Sequence, residues 1–339
     1  MYGFLIAVGV VLLLSIVWMV YRIQTLVSVV KGSDKKIASG SNKVNAFLFL
    51  VFLVAVGGLM FWYSIKEFDN YQLPIASEHG VVTDRLFWIT MAVTGVIFII
   101  THILLFVFPY KYQYKEDRKA SFYPENNKLE VIWTTVPALV LTVLVITGWM
   151  AWSDITAPAP ENAHVVELMG YQFAWDIRYP GQDKVLGDND YRLTSAINPM
   201  GIDFTDQKSV DDFPSPKVVI PKGEPVLFKI RARDVLHSVF APHMRLKMDA
   251  VPGMPTRFWF VPNKTTAEMR AELNNPDFNY EIACTEICGR GHNAMRRVIE
   301  VVEPAEYQKW LTEQKTFLQM NPALAEGIEV EVKEVAEIQ

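Results

Sequence analysis

Two cysteines in 339 residues are too few for a disulfide-stapled fold. A Cys-x-x-Cys-His motif is missing, so this chain attaches no haem c. Basic charge is scarce as well. With a formal charge of −5 and no large basic patch, the chain has no footprint for a phosphate backbone, which excludes nucleic acid as a partner. Glycine and proline follow no period, and no internal repeat is visible, which rules out collagen-like and solenoid designs. What is abundant is apolar surface, 51% of the residues, and it is unevenly placed. Residues 1–153 carry 12 Lys+Arg against 9 Asp+Glu, and residues 154–339 carry 20 against 28. A membrane anchor followed by an acidic exported domain accounts for that division.

Residues 3–21, 44–65, 86–110 and 131–152 contain no Asp, Glu, Lys or Arg. Each run is long enough to cross roughly 30 Å of hydrocarbon as a helix, which predicts four transmembrane helices. A cleaved signal peptide fits the first run poorly, because Arg22 follows it and its front is uncharged. Arg22, Lys31, Lys35, Lys36 and Lys43 separate the first two runs, and Lys111, Lys115, Arg118, Lys119 and Lys128 the last two. Those loops are predicted to be cytoplasmic, with both termini outside.

After Ala-Pro-Ala-Pro at 157–160, a stiff linker, come β-branched or aromatic runs at 165–169, 218–220, 226–230, 258–261 and 298–302. They predict an all-β sandwich or barrel. Residues 181–212 interrupt it with seven aspartates and read as a surface excursion, and a helix is expected over 305–320 before an acidic tail. The expected divisions are 1–66, an extra helix pair; 67–153, a second transmembrane hairpin; 154–315, the exported domain; and 316–339, the tail.

Chemistry concentrates in Cys284-Thr-Glu-Ile-Cys288-Gly-Arg-Gly-His292-Asn-Ala-Met295. Two thiols, an imidazole and a thioether are the soft and borderline donors that suit copper. His237, at a predicted strand end, is the fourth donor expected, brought over the cysteine loop by pairing of the two sheets. A disulfide over three intervening residues would be strained and leave His292 and Met295 unexplained. A structural zinc site would leave Met295 idle, and a mononuclear blue-copper site would leave Cys284 unused. A pair of coppers bridged by both sulfurs, each capped by one histidine, uses them all.

With these residues in place, the chain resembles subunit II of the haem–copper oxidases, the cytochrome c oxidase subunit with a binuclear copper centre. The resemblance rests on Cys284-x-Glu286-x-Cys288-Gly-x-x-His292-x-x-Met295, Asp234-Val-Leu-His237-Ser, Leu246-Lys-x-Asp249-Ala-Val-Pro-Gly253, Gly170-x-Gln172-x-x-Trp175 and Glu130-Val-Ile-Trp133-Thr-x-x-Pro137. It implies a cupredoxin-like sandwich behind the membrane helices. It also implies that Cys284 and Cys288 bridge the coppers, with His237, His292, Met295 and the Glu286 carbonyl as the remaining ligands. The Glu286 side chain would reach a magnesium ion shared with catalytic subunit I.

The resemblance further implies a bacterial inner membrane, a periplasmic copper domain, and other oxidase subunits as partners, with electrons passed on to reduce oxygen and pump protons. Glu130 would lie at a proton-channel mouth, although its charge alone also favours a helix N-terminus. The family usually has tryptophan directly after Gln172. Here Phe173 stands there and Trp175 lies two further on, which leaves both as candidates for receiving electrons from a c-type cytochrome. The extra helices and Phe173 together favour a membrane-bound donor complex, held at fixed effective concentration, over a freely diffusing cytochrome. Two other classes compete: a metal-free quinol oxidase subunit, which six intact ligands oppose, and an exported copper carrier, for which four helices are superfluous.

Overall fold

A computed structural model describes residues 2–32, 34–115 and 117–325. Four long helices come first: α1 (Tyr2–Val30), α2 (Asp34–Lys66), α3 (Glu78–Lys111) and α4 (Asn127–Thr156). All four contain stretches long and apolar enough to cross a membrane. Their side chains are apolar around the whole circumference, the pattern of a helix solvated by lipid rather than packed on one face. Helix α1 runs past Arg22, whose guanidinium lies 6.0 Å from the Trp18 ring. The charge that ends the apolar run therefore does not end the helix. Phe106 of α3 meets Phe49 and Phe52 of α2, with ring centroids 5.7 and 5.5 Å apart.

The chain forms two compact units, residues 1–72 with 89–138, and residues 73–88 with 139–339. Among the described residues of the second unit, ten strands build two sheets. They are β1 (His164–Tyr171), β2 (Ala174–Tyr179), β3 (Phe213–Pro214), β4 (Val218–Pro221), β5 (Val226–Ala232), β6 (His237–Ala241), β7 (Leu246–Ala250), β8 (Thr256–Phe260), β9 (Tyr280–Cys284) and β10 (Arg296–Val302). The orders are β3-β2-β1-β5-β8 and β4-β10-β9-β6-β7. Leu168, Trp175, Phe228, Ile230, Val239, Ile282 and Ile299 fill the space between them. The segment before α3 is sewn onto this unit. Ala76 N donates to His243 O at 2.8 Å, and Arg245 forks onto Asp84 with both contacts at 2.7 Å.

One charged cluster lies inside the fold. Arg178 on β2, 1% exposed, donates to Glu167 of β1 at 2.6 Å, to Asp212 at 3.1 Å and to the Gly187 carbonyl at 3.0 Å. Arg231 on β5 reaches the other Glu167 oxygen at 2.7 Å. Burial opposes ionisation of Glu167, but the two guanidinium groups outweigh it and hold its carboxyl below the usual range. Burial pushes Asp212 up to about 7 despite Arg178. The cluster pins the excursion at 181–212 to the first sheet. Arg178→Met is expected to lower stability by about 3–5 kcal/mol, because two buried carboxylates lose a shared cation. Thermal unfolding of the purified chain in detergent checks this, and an unchanged midpoint contradicts it.

The aspartates of the excursion build turns. Asp183, Asp190, Asp203, Asp206, Asp211 and Asp212 each accept from a backbone N–H of the segment. The helix expected over 305–320 is two helices, α6 (Pro304–Thr312) and α7 (Phe317–Met320), after the earlier α5 (Thr266–Glu272). Thr316 accepts from Gln319 N while the Gln319 side chain accepts from Thr316 N, a capping box that starts a new helix. Phe317 and Leu318 pack on Met169, Met200 and Ile202. The acidic tail beyond residue 325 lies outside the described residues.

Candidate metal centre

Strands β6 and β9 pair antiparallel with Val239 opposite Cys284, which sets His237 two residues beyond that pair. His237 and Cys284 therefore lie on neighbouring strands of one sheet, not on facing sheets as the sequence reading supposed. Strands β9 and β10 form a hairpin with Ala283 opposite Arg296, and its loop carries Glu286, Cys288, His292 and Met295. Cys284 N donates to Met295 O at 3.1 Å and His292 N to Gly289 O at 3.2 Å, so the backbone itself folds the loop.

The six expected donors converge. His237 Nδ1 lies 3.9 Å from Cys284 Sγ, and His292 Nδ1 lies 3.7 Å from Cys288 Sγ. The Cys284 thiol is 3.3 Å from the Glu286 carbonyl, and Cys288 Sγ is 3.4 Å from Met295 Sδ. Ligand atoms of His237, Cys284 and Cys288 lie within 4.8 Å of one another. Both cysteines are free and buried. Metal–nitrogen and metal–sulfur bonds of about 2.0 and 2.3 Å at a tetrahedral angle span roughly 3.6 Å, so the imidazole–sulfur separations suit an intervening soft cation. Burial and the adjacent Cys284 sulfur push the Cys288 thiol up to about 11. Two thiolates this close need a cation between them, and two Cys, two His and one Met are a donor set for copper.

A supporting shell holds the ligands. Asp234 accepts from His237 Nε2–H at 2.9 Å, which leaves Nδ1 facing the sulfur, and accepts from Gln172 N at 2.7 Å and Val235 N at 2.8 Å. This is the carboxylate–imidazole arrangement that fixes the orientation of a metal-bound histidine. Gln172 Nε2 donates to Cys288 O at 2.6 Å. A Cβ on Gly170 would lie 2.8 Å from the Trp175 ring and 3.1 Å from the His237 ring. Gly289, at φ +131°, and Gly291 leave room for Phe173, whose ring would lie 3.0 and 2.5 Å from a Cβ at those positions. The sequence showed these motifs but not their work, although the closely spaced glycines of Gly170-x-Gln172 and Gly289-Arg-Gly291 were the available signal.

Phe173 is 39% exposed and lies over the loop, whereas Trp175 is buried with its ring centroid 6.0 Å from that of His237. Glu286 is exposed. In the other unit, Glu130 lies exposed in the first turn of α4, after Asn126, whose side chain accepts from Leu129 N at 3.1 Å. The remaining histidines have local partners. His102 bonds Phe98 O, His243 bonds Pro74 O, His164 bonds Glu224, and His79 stacks edge-on against Trp259. Met244 is a core residue and Met254 is exposed.

Residues 164–302 match the family described as cytochrome c oxidase subunit II, periplasmic domain, and residues 61–149 match its transmembrane domain. Over 283 residues the chain is 34% identical to the alternative cytochrome c oxidase subunit 2 of Bradyrhizobium diazoefficiens, covering 80% of this chain and 93% of that one. It is 27% identical to the probable cytochrome c oxidase subunit 2 of Rickettsia bellii, covering 70% and 80% of the two chains. Among solved structures it is similar to the periplasmic domain of subunit II of cytochrome oxidase of Bradyrhizobium japonicum, at 23% identity and TM-score 0.32, covering 46% and 95%.

Proposed function

This chain belongs to the cytochrome c oxidase subunit II family, and on that premise we propose that its metal centre is a binuclear copper site that receives electrons one at a time. The chain is the electron-input subunit of a haem–copper oxidase and a membrane protein carrying a domain of the family's periplasmic type. The observation that supports a copper pair is the matched arrangement of two thiols, each facing its own imidazole, with Met295 beside Cys288 and the Glu286 carbonyl beside Cys284. Cys284 and Cys288 would bridge, and His237, His292, Met295 and the Glu286 carbonyl would complete the set. A copper pair held by these residues would supply one-electron transfer. Every donor is already committed, so no position is left for a substrate, and reduction of oxygen belongs to subunit I.

The chain's own residues perform three tasks in this reading. Asp234 holds the His237 ring by its Nε2–H. Gln172 ties the tip between β1 and β2 to the Cys288 carbonyl. Phe173 receives the donor at the surface, with Trp175 behind it against His237. The Glu286 side chain would hold magnesium jointly with subunit I. The donor is a c-type cytochrome within a membrane-bound complex. Residues 1–66 supply extra membrane surface for it, 67–153 pack on subunit I, and 154–315 hold copper outside a bacterial inner membrane; of the segment 316–339 expected as a tail, Phe317–Met320 is a helix packed on that domain, and the part beyond residue 325 lies outside the described residues. Metal analysis of the purified oxidase tests this reading. Two coppers assigned to this subunit support it, and none or one contradicts it.

Glu130 is proposed as a proton entrance. Glu130→Gln is expected to slow oxygen consumption of the whole complex roughly tenfold, while the copper content of this subunit is retained. Unchanged oxygen consumption would leave Glu130 with only its helix N-terminal role.

A further inference from the structure

The donor face around Phe173 carries the wrong charge for a basic cytochrome. Phe173 packs against Gly289 and Gly291, and Arg290, exposed between them, has no hydrogen-bond or ion-pair partner among the described residues. Arg233 stacks its guanidinium 4.0 Å over the Tyr171 ring, and its backbone N donates to Gly170 O. Arg297 donates to Trp175 O at 3.1 Å and to no carboxylate. All three cations border residues 170–175, the tip that carries Phe173.

The acids bordering the tip are fewer than its arginines. Asp234 is exposed and accepts from His237 Nε2–H and from the Gln172 and Val235 N–H groups, bonds that leave its charge in place, so it offsets one of the three arginines. Asp176 bonds Tyr171 and is driven up in pKa by burial, with Arg233 and Arg297 opposing that shift. Glu281 pairs with Arg296 at 3.4 Å. The aspartates of residues 181–212 keep their charge, but the hydrogen-bond partners of their side chains lie within the excursion or at Arg178, and none lies on the 170–175 tip. Charge beyond about 8–10 Å is screened at physiological salt, so at contact the local arginines outweigh the acidic character of the rest of the domain.

We propose that the face over Phe173 docks an electron donor whose own docking face is acidic, held by Arg233, Arg290 and Arg297 around an exposed aromatic contact. This rests on the reading of the centre as the electron-input site, and it goes further by naming the chemistry of the partner. Such a surface gives orientation at contact rather than long-range capture, because the domain as a whole is negative. That is the behaviour expected toward a donor already confined to the membrane.

The test uses the intact purified oxidase in mild detergent and one soluble c-type cytochrome in two forms, native with a basic face and with its lysines succinylated to make the same face acidic. Copper reduction is followed by stopped flow, and equilibrium binding of the ferric forms is measured separately. At about 0.15 M salt, where charge beyond about 8 Å is screened, the succinylated form is expected to reduce copper about tenfold faster and to bind correspondingly tighter, with the preference vanishing at about 1 M salt, where the screening length falls to about 3 Å. Arg290→Glu, at an exposed and unpaired position, is expected to reverse the preference in both readouts, and Arg233→Glu supplies an independent second variant. Copper content of each preparation separates lost docking from a lost centre. Faster reduction by the native basic form, or a preference untouched by both variants, overturns the proposal while leaving the input reading intact. Failure of both forms to reduce a copper centre that a small-molecule reductant does reduce overturns the proposal alone, and a centre that no reductant reduces overturns the input reading with it.

Discussion

Cys284→Ser is expected to reduce the copper held by this subunit from two ions to at most one and to abolish electron transfer from a cytochrome donor. The reasoning is local. Cys284 ends β9 with its backbone N bonded to Met295 O, so the position of the side chain is set by the sheet and serine will occupy it without rearrangement. What changes is the donor. A hydroxyl is harder and far less acidic than a thiol, and it cannot bridge two soft cations. The remaining His237, Cys288, His292 and Met295 comprise one thiolate, two imidazoles and a thioether, the ligand set of a mononuclear copper site. Metal analysis and visible absorption of the purified variant check this. Retention of two coppers with undiminished transfer would remove Cys284 from its bridging role.

Asp234→Ala is expected to weaken copper binding by about 10–100-fold, the usual loss when the outer partner of a metal-bound histidine is removed. The effect has two sources. His237, fully buried, loses the acceptor at 2.9 Å that keeps Nδ1 aimed at Cys284 Sγ. Gln172 N loses its acceptor at 2.7 Å, which loosens the tip whose Gln172 side chain steadies Cys288 O. Asp234→Asn keeps part of the hydrogen bonding and is expected to fall between wild type and Asp234→Ala. Competition with a copper chelator measures the series, and equal affinities would show that the sheet alone orients His237.

The ligand loop was legible because its chemistry is compressed into twelve residues, and His237 because a soft donor set needed another imidazole. The manner in which His237 arrives was not, since sequence carries no strand order. Strands β1, β4, β5, β8 and β10 announced themselves by β-branched and aromatic side chains. Strand β2 did not, because Asp176 and Arg178 look like loop residues until Glu167 and Asp212 are seen to neutralise Arg178 inside the fold. The same physics hid the role of the 181–212 aspartates, whose carboxylates look like free surface charge in a sequence and are hydrogen-bond acceptors for backbone in space. The break between α6 and α7 was present as Thr316-x-x-Gln319 and could have been read as a capping box. The attachment of residues 73–84 to the β unit through Ala76, Ser77 and Asp84 left no mark in composition, because a backbone hydrogen bond at Ala76, the Ser77 hydroxyl donating to Met244 O and the Arg245 fork carry it.

Electron paramagnetic resonance of the oxidised complex, with the signal of this subunit resolved from the haems, tests the central claim most directly. The account predicts a hyperfine pattern of one unpaired electron shared equally by two coppers, lost in Cys284→Ser. A four-line pattern from a single copper in the wild-type subunit would contradict it.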